Sequence, residues 1–194
     1  MNAMTWWDHK TESVWSQPWG RAIAGPLKDT ELNLIPSQLV PWKTWREMHP
    51  YTLALDTEAM SVHRGAFGRE TFYPGYVIGI TLGESATAFP FDLASEAGLI
   101  NETVGPYPIV VYVNSETRGV HTYVRQVEDQ TLTFTRQDGE VRDQETDSTW
   151  QIDRGVATGG PLQGQALRVV PYIPAFRSAW QDFFPNTRWY EGVP

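Results

Sequence analysis

Four histidines and no cysteine bound the chemistry open to this chain. Without cysteine there is no thiolate ligand, no thiol nucleophile and no disulfide. A metal site would rest on imidazoles and carboxylates alone. His9, His49, His63 and His121 include no pair at the i, i+4 spacing that sets two imidazoles on one helix face. No metal site and no cofactor is expected. No serine sits in a Gly-x-Ser-x-Gly turn, and Glu145 and Asp147 fall on a polar turn where solvation is the ordinary fate. No catalytic residue is assigned, and whether the chain is an enzyme stays open at this point.

The residues that stand out do so against an internal comparison. Residues 8–55 align without a gap to residues 143–190 at an offset of 135, with fourteen identical positions. They include Asp8, Thr11, Ser13, Trp15, Gly20, Gly25, Pro26, Trp45, Pro50 and Thr52, matched by Asp143, Thr146, Ser148, Trp150, Gly155, Gly160, Pro161, Trp180, Pro185 and Thr187. Gly, Pro and Trp have steric demands that are hard to exchange, so a shared backbone course is expected. Only seven residues precede Asp8, whereas residues 56–141 precede the second segment. The first segment therefore reads as the tail half of a unit whose head half is absent. The expected organisation is a tail half at 1–55, a connecting loop at 56–76 and a complete unit at 77–194.

Positions that differ between the segments nominate a binding surface. His9, Ser16, Gln17 and Arg21 form a polar group found only in the first segment, where the second has Gln144, Gln151, Ile152 and Val156. Trp19 and Trp42 face Arg154 and Arg177, and Trp6 and Trp7 face Val141 and Arg142. A Trp-for-Arg exchange implies that the first segment meets something apolar at these sites, and protein is the favoured partner over a small ligand. The ligand- or partner-binding set is thus His9, Ser16, Gln17, Trp19, Arg21 and Trp42. Trp15 and Trp45 keep Trp partners and read, with Trp150 and Trp180, as buried core. His49 reads as a flat ring packed where Phe184 stands in the second segment. His121 reads as a surface residue of a strand, and His63 falls in the connecting loop.

Composition narrows the partners. A net charge of -8 argues against nucleic acid, whose phosphates are bound by clustered Lys and Arg. No apolar run reaches the ~18 residues of a membrane-spanning helix, and no membrane partner is expected. No basic region leads into an apolar stretch at the N-terminus, so no export signal is visible and localisation is undetermined.

The elements that must position these residues read as mostly β (α+β): antiparallel strands with short covering helices. A polar turn at Asp8 and Thr11 leads into a strand burying Trp15, then a small-residue loop from Gly20 to Leu27. Leu39, Trp42, Trp45 and Met48 recur every three residues as one helix face ended by Pro50, and Ile173, Phe176, Trp180 and Phe183 do so before Pro185. Val77–Leu82 and Thr87–Phe91 read as a hairpin about Gly83-Glu84-Ser85, with a short helix from Leu93 to Gly98. Further strands are expected at Ile109–Val113, Gly119–Gln126 and Thr131–Thr135, followed by a turn at 137–140.

Several stretches together resemble one family: Asp8 to Gln17, Arg21 to Leu27, His49-Pro50, Phe67-Gly68-Arg69, Val77 to Pro90, and Asn101 to Gly105. The chain resembles the domain-of-unknown-function family 3179 over nearly all its length. The resemblance implies two tandem units, the first with a Trp-His-Glu sequence and then Cys-Pro-x-Cys-Gly in its head half, a pairing suited to a metal or redox site. Here Glu96-Ala97-Gly98 and Val113-Asn114-Ser115-Glu116 occupy those places, so no site residue carries over. Two functions follow. The first is a non-catalytic binding or assembly module that associates with itself or with another protein. The alternative is part of a redox or metal-dependent enzyme whose Cys-containing site lies in the head half.

Overall fold

The computed structural model describes residues 4–37, 40–54 and 75–192. The fold is mostly β, with three short helices among the described residues.

In the first segment β1 (Thr5–Trp7), β2 (Val14–Ser16) and β3 (Arg21–Ala24) form a three-stranded antiparallel sheet. The polar turn between β1 and β2 closes on Asp8, whose carboxylate accepts the Lys10 backbone N–H at 2.8 Å and the Thr11 hydroxyl. These two donors, Thr11 first, hold the Asp8 carboxyl below its ordinary pKa. Ser13 is fully buried and its Oγ accepts the Leu27 N–H at 3.1 Å, which fastens the Gly25-Pro26-Leu27 turn to β2. Gly25 is needed there: its φ is +92°, and a Cβ would lie 2.7 Å from the Ser13 Cα. Helix α1 (Trp42–Met48) follows Pro41 and ends at His49, ahead of Pro50.

The rest of the chain is built on three four-stranded sheets. Strands β4 (Tyr76–Leu82) and β5 (Ser85–Pro90) form a hairpin whose two-residue turn begins at Gly83, with φ at +60°. Helix α2 (Phe91–Ala97) stops at Gly98, and β6 (Leu99–Val104), β7 (Tyr107–Val113) and β8 (Val120–Val124) run antiparallel. A small ribbon of β9 (Gln126–Val127) and β10 (Gln130–Thr131) leads to β11 (Phe134–Gln137) and β12 (Glu140–Asp143). Then come β13 (Thr149–Gln151), β14 (Val156–Gly159), β15 (Arg168–Val169), β16 (Ile173–Phe176), α3 (Arg177–Phe183) and β17 (Arg188–Trp189). The sheet orders are β11-β12-β13-β14, β15-β8-β7-β6 and β16-β4-β5-β17.

Strand β7 explains why these sheets form one core. Ile109, Val111 and Val113 point into a cluster with Ile78, Phe89 and Val104, while Val110 and Tyr112 point into another with Phe134 and Trp150. A strand buried on both faces must be apolar without alternation, as the run Ile109 to Val113 is. A third cluster joins Val77 and Ala88 of the hairpin to Ala175 and Trp180. There the Trp180 indole lies against the β4 backbone so closely that a Cβ on Gly79 would stand 2.1 Å from its ring.

Several sequence expectations need correction. Leu99–Val104 is a strand that the polar Asn101 and Glu102 hid. The expected strand Thr131–Thr135 is divided: Thr131 ends β10, and Phe134 opens β11 in another sheet. Arg21–Ala24, read as loop, is a strand, because Ala22 turns inward opposite Trp15. Ile173 and Phe176 belong to β16 and not to the helix, whose first residue is Arg177. The loop expected at 56–76 lies outside the described residues up to 74, and Tyr76 already belongs to β4. Trp45 is not buried, and neither is any other α1 residue, whereas α3 buries Ala179, Trp180 and Phe183.

Three elements of the first segment have counterparts of the same bounds at the offset of 135, whereas β15, β16 and β17 have none among the described residues. β2, β3 and α1 fall 135 residues before β13, β14 and α3, with the same bounds. Both sheets carry an irregularity just before the shared tryptophan, between Val14 and Trp15 and between Thr149 and Trp150. Ser148 Oγ accepts the Leu162 N–H at 3.0 Å, as Ser13 does from Leu27. Trp45 Nε1–H donates to Thr52 Oγ1 at 2.9 Å, and Trp180 Nε1–H to Thr187 Oγ1 at 3.0 Å. What differs is cover, since Trp180 is wholly buried. Urea denaturation should therefore show Trp180→Ala costing about 3–5 kcal/mol and Trp45→Ala about 1 kcal/mol or less. Equal losses would contradict this.

A candidate binding face on residues 4–54

Three of the six nominated residues converge. Ser16, Trp19 and Arg21 line an open cleft of about 600 Å³, together with Thr5, Lys28 and Phe183. Trp19 reaches it from the β2–β3 turn, which Gly20 closes with its N–H on the Ser16 carbonyl at 2.9 Å. The Trp19 indole stands edge-on to Phe183, ring centres 5.2 Å apart, and donates to the Phe183 carbonyl at 3.2 Å. The apolar partner expected for Trp19 is thus α3 of the same chain. Sequence could not pair these two residues, because no local spacing links positions 164 apart.

The polar side of the cleft is partly satisfied. Arg21 pairs with Asp29 at 3.3 Å and reaches Glu31 at 4.0 Å, while its Nε has no hydrogen-bond partner among the described residues. Ser16 Oγ is buried and likewise has no hydrogen-bond partner among the described residues. The other nominated residues lie apart from the cleft. His9 packs edge-on to Trp7 at 4.6 Å, Gln17 is exposed with its backbone N–H on the Met4 carbonyl, and Trp42 is half exposed on α1. His49 stacks on Trp45 at 4.1 Å, as Phe184 stacks on Trp180 at 4.2 Å.

Exposed apolar side chains are concentrated in residues 4–54. Every exposed large apolar side chain among the described residues, apart from Tyr107 and Phe176, falls within residues 4–54. Ile35 is 78% exposed, Leu53 93%, and Trp6, Trp7 and Trp42 about half. Soluble monomers rarely leave so much apolar surface in one region.

His121 overturns its surface reading. It is 2% exposed, and the whole of β8 is buried. The two polar residues in Val120-His-Thr-Tyr-Val124 concealed this, although pairing with the continuously buried β7 requires it. The His121 ring lies opposite Tyr112, centroids 6.0 Å apart, with Nε2 3.6 Å from Asp153 Oδ1 and Nδ1 unpartnered. Tyr112 Oη in turn accepts from Arg136 Nη2 at 3.4 Å. Burial pushes His121 below its ordinary pKa, Asp153 offsetting part of this, and burial likewise raises Tyr112. No group of three or more metal-ligating His, Asp or Glu occurs among the described residues, and His63 lies outside them.

The model of one protein family, described as protein of unknown function (DUF3179), matches residues 1–76 and, in a second match, residues 73–187. This chain belongs to that family. No curated protein and no solved structure matches it.

The buried histidine has a pH signature. The unfolded chain protonates His121 near pH 6.5 while the fold holds it neutral, so the unfolded state takes up the proton first as pH falls. This share of stability is complete above pH 6.5 and shrinks below it until the folded-state pKa is passed. In denaturation at pH 8 and pH 5, His121→Phe should lose less stability on acidification than the wild type. An equal loss would show that His121 does not titrate in this way.

Proposed function

We propose that this chain is a non-catalytic binding or assembly module, and that residues 4–54 present its binding face to protein, either a second copy or another chain. The concentration of exposed large apolar side chains in those residues, where all but Tyr107 and Phe176 of the described ones fall, supports this reading. Burying a large apolar side chain contributes about 1.5–3 kcal/mol, so covering even a few of Trp6, Trp7, Ile35, Trp42, Tyr51 and Leu53 would offset the cost of association. We infer further that residues 1–55 and 77–194 are a tail half and a complete copy of one unit joined by 56–76. The coincident element bounds and the paired Ser13/Ser148 and Trp45/Trp180 hydrogen bonds support that reading. The second segment places Arg177 and Asn186 where the first has Trp42 and Tyr51, as expected if only the first must adhere to a partner.

Exposed apolar surface of this kind favours association with a second copy when no other partner is present. Sedimentation equilibrium of the wild type should show reversible self-association, weakened at least tenfold by Trp42→Arg with Tyr51→Asn, which installs the second segment's residues. That factor corresponds to about 1.4 kcal/mol. A wild type that stays monomeric as concentration rises, or an association indifferent to both changes, would contradict the proposal.

A further inference from the structure

The structure also shows how one half of such a face is covered when cover is present. Trp180 sinks into the β4–β5 hairpin on a surface of small residues, Val77, Gly79 and Ala88. The hairpin is held on both sides by the chain flanking α3: β16 pairs antiparallel with β4, and β17 pairs parallel with β5. Trp45 stands in the same local frame. The residue after α1, His49, has φ −131° and ψ 70°, and the residue after α3, Phe184, has φ −128° and ψ 67°. The indole of each is pinned by a threonine seven residues on and by the ring four residues on. The side chain is therefore already oriented, which lowers the ordering cost of covering it. Yet no residue of α1 is buried, and Leu53, at the place of Arg188 in β17, is 93% exposed.

We propose that the partner seats an antiparallel β-hairpin on the Trp45 face of α1, beside Leu53 and Ala54, with a glycine opposite the indole. This rests on the reading of residues 4–54 as a protein-binding face and names what that face accepts. Strand addition along Leu53–Ala54 would supply main-chain hydrogen bonds, and the indole over a side-chain-free strand position would supply selectivity. A residue with a Cβ opposite Trp45 would meet the obstruction that a Cβ on Gly79 meets at Trp180. The occupant is not the hairpin of a second copy. In the order β16-β4-β5-β17 both edges of this chain's own hairpin are already paired, so lending it would dismantle its own core.

The probe is a head-to-tail cyclised peptide carrying residues 75–91, titrated into the full chain by calorimetry and sedimentation. The expected result is saturable one-to-one binding that competes with self-association. Binding should weaken at least tenfold when the peptide carries Gly79→Val, and equally when the chain carries Trp45→Ala, a change at a side chain outside the core. Absence of binding, or binding indifferent to either substitution, overturns the inference. Indifference to Trp45→Ala alone would mean that the peptide invades the Trp180 site instead. If the chain self-associates through Trp42 and Tyr51 but ignores the peptide, the binding-face reading stands and the hairpin falls. Peptide binding by a chain that never self-associates would keep both the binding face and the hairpin and remove only the association with a second copy.

Discussion

An indole ring resting on a strand backbone is the contact on which the union of α3 with the β4–β5 hairpin depends. Trp180 occupies the volume a side chain would take at Gly79, so helix, hairpin and flanking strands reach van der Waals contact only because one residue has no side chain. The remaining geometry serves that contact. Thr187 accepts the indole N–H, Phe184 backs the ring, and β16 and β17 clamp the two edges of the hairpin. Arg188, in β17, then reaches across to Glu102 at 3.1 Å and to the Thr103 carbonyl at 2.9 Å, tying the clamp to the neighbouring sheet.

Residues 4–54 contain the helix, the indole and the threonine of this arrangement, but there the indole, Trp45, is not buried. That contrast gives the apolar surface a structural meaning beyond composition. Two seven-residue helices that share only their central tryptophan differ in cover, α3 being core and α1 unburied. A short helix has little stability of its own, and packing of its apolar face supplies the rest.

What the sequence made legible follows a physical line. Gly25-Pro26-Leu27 and Gly160-Pro161-Leu162 could be aligned because their glycines must take positive φ and their turns must receive a serine hydroxyl. Chemistry confined to one turn survives in local pattern. Leu99–Val104 escaped notice because its polar residues are satisfied at long range, Asn101 exchanging two hydrogen bonds with the Phe134 backbone at 2.8 Å. His121 was misjudged for a related reason: its burial is imposed by β7, not by its neighbours in sequence. Of the nominated site, Ser16, Trp19 and Arg21 do share a cleft, since all three follow from the register of one hairpin. Phe183, which completes it, lies in the other segment and left no local trace. The exposure of Leu53 and Tyr51 was equally hidden, as exposure is a property of what packs above a residue.

Helices α1 and α3 are alike in local structure and differ in cover. Amide hydrogen exchange of the full chain measures that difference directly, because local opening is governed by the packing lost on opening. Amides of Trp45 to Met48 should exchange at least tenfold faster than those of Trp180 to Phe183, corrected for intrinsic rates. Equal protection of the two helices would contradict the account, since it would mean that α1 is already covered as firmly as α3.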